Sequence, residues 1–176
     1  MKLSSISLLT AATLAAASPL SLPLSTRQDP SIIWPYRTYR WFIRDGTTIE
    51  DPQDQLLVVK DNDPAHESSA LVTFQITPDL EGRTCKLILD LWDRDVSTGS
   101  QTADVFDSVN PGNRGEYVGR VRLPKPGSAE WISSSDKAPE FPCPAGALIG
   151  FEFVGAGDEV AVRWDIGATG PRVQVQ

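Results

Sequence analysis

Carboxylates are the residues through which this chain could do chemistry. Asp90, Asp93 and Asp95 stand close together, and Glu152 and Asp165 fall on two apolar stretches further on. Glycoside hydrolysis needs two such groups about 5–10 Å apart across a cleft, one of them desolvated. Opposed strands can present that pair, and so can any acidic surface. Carboxylates become a functional clue only where the fold buries them.

Other catalytic chemistries find less support. His66 is the only histidine, and a Ser-His-Asp triad would have to use it as the positioned base. It stands in Pro64-Ala65-His66-Glu67-Ser68-Ser69, which reads as a solvated polar loop. No Gly-x-Ser-x-Gly elbow occurs, and one histidine excludes a catalytic zinc held by several. Asp61-Asn62-Asp63 with Glu67, or Asp93 with Asp95, offers the hard oxygens that calcium prefers. Neither run has the central Gly and terminal Glu of a twelve-residue calcium loop. Asp-rich turns are also ordinary hairpin chemistry, so no metal and no cofactor is expected.

The five tryptophans suggest flat platforms for sugar rings. Trp41 and Trp164 share alternating faces with Ile43, Val160 and Val162 and are expected in the core. Trp34, Trp92 and Trp131 fall at strand ends, where an apolar body with a polar tip is useful. The candidate binding surface is therefore Trp92 and Trp131 with Asp90, Asp93 and Asp95.

These residues need elements to hold them, and the organising one is Thr84–Asp95. Cys85, Leu87, Leu89 and Leu91 fall at every second position, so a pleated strand puts all four on one face. Around it the pattern is strand after strand. Tyr39–Arg44, Gln55–Lys60, Ala70–Ile76, Thr102–Ser108, Gly115–Leu123, Glu130–Ser133, Ala147–Val154 and Glu159–Ile166 are bounded by Gly, Pro, Asn and Asp. Ala70–Ile76 is expected to form a hairpin with the central strand. The strongest turn signal is Asn110-Pro111-Gly112-Asn113. No window sustains a helical period. About eight or nine short strands at this spacing predict an all-β, single-domain antiparallel sandwich.

The start of the chain reads as an address. Lys2, the apolar run Leu3–Leu14 and Ala15-Ala16-Ala17 form the three parts of an export signal, with cleavage expected after Ala17. Residues 18–33 read as a flexible leader or propeptide, and 34–176 as the folded domain. A secreted chain with two cysteines most simply pairs them, Cys85 with Cys143. The formal net charge of −7 argues against holding nucleic acid or an anionic membrane, since both need excess Lys and Arg.

Two blocks resemble a fungal secreted family, the C-terminal domain of the "ubiquitin 3 binding protein" (But-two type). Thr73–Leu91, T-F-Q-I-T-P-D-L-E-G-R-T-C-K-L-I-L-D-L, is similar to its F-x-h-P-x-x-x-x-G-K-T-C-x-L pattern. Phe74, Pro78, Gly82, Thr84, Cys85 and Leu87 stand in the matching places. Phe141–Phe153, F-P-C-P-A-G-A-L-I-G-F-E-F, is like its F-x-C-P-A-G segment before a strand. Arg83 stands where the family often has Lys, and Asp90–Asp95 departs from its more apolar run. The resemblance implies a secreted β-sandwich with paired cysteines and supplies no catalytic residues. The expectation is a non-catalytic binding module acting on an extracellular protein or glycan. The alternatives are a small carboxylate-dependent hydrolase of glycans and a structural wall-associated protein.

Overall fold

The computed structural model describes residues 31–176; the expected export signal and most of the expected leader lie outside them. Fifteen strands follow one another. They are β1 (Ile32–Ile33), β2 (Arg37–Phe42), β3 (Thr48–Glu50), β4 (Val58–Lys60), β5 (Ser68–Gln75), β6 (Thr84–Leu91), β7 (Val96–Gly99) and β8 (Thr102–Asp107). Then come β9 (Tyr117–Arg122), β10 (Gly127–Ser128), β11 (Glu130–Ser134), β12 (Glu140–Pro142), β13 (Leu148–Ala156), β14 (Val160–Arg163) and β15 (Gly170–Val175). The only helical element among the described residues is a single 3-10 turn at Pro78–Leu80. The strand count exceeds the expected eight or nine because several segments are only two to four residues long.

The strands form two antiparallel sheets, as an all-β sandwich requires. The smaller has the order β1-β15-β6-β10, with β12 also on β6; the larger runs β11-β9-β8-β13-β5-β4-β14-β7, with β2 on β5 and β3 on β2. Ile32 and Ile33, expected in the leader, already pair with Gln174 and Val173. Between the sheets lies the core, where Leu87, Leu89 and Leu91 of β6 meet Phe74, Phe151, Phe153 and Trp164. Burial alternates along β6 as its sequence demands.

One expectation is corrected. The β5–β6 pair is not a hairpin: β5 belongs to the large sheet and β6 to the small one. The connection from Ile76 to Arg83, with its 3-10 turn, carries the chain across the roughly 10 Å between layers. β5 is buried on both faces, Leu71 as fully as Val72: Val72 packs into the core, and Leu71 lies on the other face between the side chains of Tyr39 and Glu152. Two-residue alternation along β9 breaks at Val118. Val105 faces Gly119 while Phe106 faces Tyr117, so Val118 is the extra residue of a bulge and turns inward.

Cys85 and Cys143 form the disulfide, with Cα atoms 5.0 Å apart. It fastens the end of β12 to β6, beside the Phe141–Cys85 ladder pair. From that anchor the chain crosses into β13 of the large sheet.

Candidate functional site

Outside the core, register decides which side chains meet. Tyr39, Leu71, Glu152, Phe106 and Tyr117 stand opposite one another across β2, β5, β13, β8 and β9, and cross-strand partners share a face. This is the outer face of the large sheet, yet Glu152 is fully buried there. The segment between β8 and β9 folds back over it. Gly112, at φ +72°, lies so close to Trp41 that a Cβ would come within 2.6 Å of the indole. The Arg114 guanidinium rests 5.6 Å from the Trp41 ring centre and 5.8 Å from that of Phe106. Arg114 Nε donates to Glu152 Oε1 at 2.9 Å, and Ser69 Oγ donates to the same oxygen at 2.6 Å. Glu152 Oε2 has no hydrogen-bond partner among the described residues.

With that segment held down, its far side walls a cleft of about 710 Å³ at one end of the sandwich. Phe141, Ile149 and Phe151 line its apolar part, and Val109 and Leu148 stand 44 % and 42 % exposed on it. Asn110, Asn113, Asp107, Asp136 and Lys137 contribute the polar lining. Lys137 Nζ meets Glu116 at 2.5 Å and Asp107 at 3.1 Å, and those contacts, Glu116 first, hold the ammonium above its ordinary pKa. The other Asp107 oxygen accepts from the Glu116 backbone N–H. Asp107 and Asp136 are thus two carboxylates on one cleft, the first already clamped and the second solvent-exposed.

A second concavity, of about 330 Å³, opens where β10 and β12 meet the same edge of β6 and leave a gap. Asp90 and Trp131 both line it. Asp90 is gripped by Arg172 and accepts from Ser128 Oγ at 2.5 Å. Trp131 is half-buried on β11 and packs on Gly119, where a Cβ would meet its ring at 2.8 Å.

The other expected surface residues lie elsewhere. Trp92 is 50 % exposed, with the Arg94 guanidinium 4.8 Å over its ring and held there by Asp165 at 2.7 Å. Asp93 is exposed. Asp95 is buried: its carboxylate accepts from the backbone N–H groups of Trp92 at 2.6 Å and Asp165 at 3.2 Å. It therefore holds the turn after β6 and presents nothing to a partner. Trp164 is buried as expected, whereas Trp41 is only half-buried, on the outer face. His66 lies in the exposed loop with its Nδ1 3.2 Å from Asp61. Asp61 and Asp63 turn an oxygen each onto the backbone N–H groups of Asp63 and Ala65. Among the described residues no three of His, Cys, Asp and Glu converge as metal ligands do.

Sequence reasoning missed Lys137, Val109 and Leu148, which bear no motif. The turn signal at 110–113 marked the wall of the cleft without saying what it faces. Compared with known proteins, the chain matches no family model and no curated protein.

Proposed function

We propose that this chain is a secreted, non-catalytic binding module that grips a short segment of an extracellular protein or glycan in the cleft at the end of the sandwich. The observation that carries the reading is the pairing of exposed Val109 and Leu148 with an ion-clamped rim. Two apolar side chains left in water over an apolar floor favour burial against a partner, at about 25 cal/mol per Å² of apolar surface covered. The Lys137–Asp107–Glu116 clip pre-organises the rim, which lowers the ordering cost of binding. The disulfide is in keeping with an oxidising compartment outside the cell. Among the described residues no helix is long and apolar enough to cross a membrane. The resemblance to the fungal secreted family points the same way.

Hydrolysis is the second reading, favoured by the presence of Asp107 and Asp136 on one cleft. A glycosidase acid has to be desolvated. Here Asp136 is exposed and Asp107 carries a cation on one oxygen and an N–H on the other.

The test is a panel of cell-wall glycans and extracellular peptides offered to the secreted protein, with binding and release of products both measured. Val109→Asp and Leu148→Asp are expected to cut binding at least tenfold while the fold persists, with no product formed. Turnover abolished by Asp107→Asn or Asp136→Asn would replace the reading with the hydrolase. Loss of binding on Trp92→Ala, with Leu148→Asp unaffected, would move the working surface to the opposite reading of exposed tryptophan. No binding by any ligand would favour the structural wall protein.

A further inference from the structure

We infer that the cavity at the gap between β10 and β12 is a site for a small apolar molecule bearing a single hydroxyl, of the phenol or short-alkanol class. Its formation follows from how β6 is paired. β12 covers Thr84–Lys86 and β10 covers Asp90 and Leu91, so the stretch between them has no continuous strand neighbour on that edge. Two backbone bonds bracket it: Leu87 N–H donates to Pro139 at 2.8 Å, and Ala129 N–H donates to Leu89 at 2.7 Å. In an antiparallel ladder Pro139 would return an N–H to the Leu87 carbonyl. Proline has none. The Leu87 carbonyl therefore stands at the cavity as an acceptor without its ladder donor, and a buried acceptor left unmade is costly.

The rest of the lining fixes the ligand class. Leu87, Leu89, Val121, Ala129, Trp131 and Phe153 make walls that favour a ring or alkyl body. At the mouth the charged groups are engaged: Lys86 with Glu140 at 3.0 Å, Asp90 with Arg172 and Ser128. A sugar would bring several hydroxyls and find few partners for them, at about 1–3 kcal/mol for each one left unpaired. One hydroxyl, donated to the Leu87 carbonyl, takes the place of the N–H that Pro139 lacks. A volume of about 330 Å³ exceeds the roughly 150 Å³ at which an apolar protein cavity accepts benzene. This site is separate from the end cleft and does not depend on what that cleft binds.

Phenol, benzyl alcohol, toluene and glucose are titrated into the wild-type secreted protein, followed by backbone-amide and indole N–H resonances. Phenol and benzyl alcohol are expected to shift the signals of Leu87, Leu89, Ala129 and Trp131 saturably and to compete with each other. Toluene is expected to bind about two- to tenfold more weakly, the share of one neutral hydrogen bond. Ala129→Leu, which fills the cavity, is expected to remove the response; Trp131→Ala, which takes away a wall, is expected to weaken it. Absence of any saturable phenol shift in the wild-type protein overturns the site. Toluene binding as tightly as phenol overturns the role of the Leu87 carbonyl, and glucose shifting the same signals in preference to phenol overturns the ligand class.

Discussion

Arg114 reaches across the outer face of the large sheet to Glu152, 2.9 Å from Nε to Oε1, and closes an ion pair whose carboxylate is wholly removed from water. The pair does two things. It neutralises a charge that β13 would otherwise bury alone, and it pins the segment that walls the end cleft.

Removing one partner of such a pair costs more than removing both, because the remaining charge stays buried. Arg114→Ala is expected to destabilise by about 3 kcal/mol, measured by urea denaturation. Adding Glu152→Gln should recover most of that loss, since the amide still meets Ser69 without a net charge. An Arg114→Ala protein within about 0.5 kcal/mol of wild type would show that the ion pair holds nothing down.

Asp95 sits beneath Trp92 and ties two backbone N–H groups to one carboxylate. Charge-assisted bonds of this kind contribute about 1.5–3 kcal/mol each. Asp95→Ala is expected to lower stability by about 3 kcal/mol, the low end for two such bonds, and to shift Trp92 emission as the turn after β6 loosens. Asp93→Ala, on the exposed neighbour, should leave both unchanged. Equal effects at the two positions would remove the distinction.

The disulfide closes a loop over a sequence separation of 58, worth about 4 kcal/mol in the chain-entropy account. The double change Cys85→Ala with Cys143→Ala is expected to lower Tm by roughly 10 °C. Because the bond anchors the segment entering β13, the amides of Phe141 and Ile149 should lose hydrogen-exchange protection before that of Phe153. Scanning calorimetry with exchange mapping checks both; an unchanged Tm would mean the strand pairing of β12 is enough.

Lys137 titrates above the ordinary lysine range because Glu116 and Asp107 favour its charged form. A cation whose pKa is raised on folding stabilises fully below its unfolded pKa and loses that contribution as pH climbs through the folded one. The stability difference between wild type and Lys137→Met is therefore expected to be flat from neutral pH to about 9 and to close at more alkaline pH. Parallel urea titrations across that range give the answer. A difference that persists unchanged through the alkaline range would assign the effect of Lys137 to its alkyl stem.

Much of the fold is written locally. The two-residue alternation of Cys85, Leu87, Leu89 and Leu91 needs only the pleat of a strand to become a buried face, and its burial follows that pattern. The turn at Asn110–Asn113 and the pairing of the only two cysteines are likewise readable from residue type alone. What alternation cannot say is which sheet a strand joins. Ala70–Ile76 and Thr84–Leu91 look like hairpin partners in the chain and lie in opposite layers, because the intervening turn, and not the strands, sets their relation. Nor can it say when an outward-facing position is covered. Glu152 alternates as a surface residue and is sealed by Arg114, 38 positions away, while Leu148 and Val109 are apolar and open to water. Periodicity records the face of one strand. The end cleft and the gap beside β6 arise from how separate strands and loops fall short of one another, a long-range outcome of packing that no single stretch encodes.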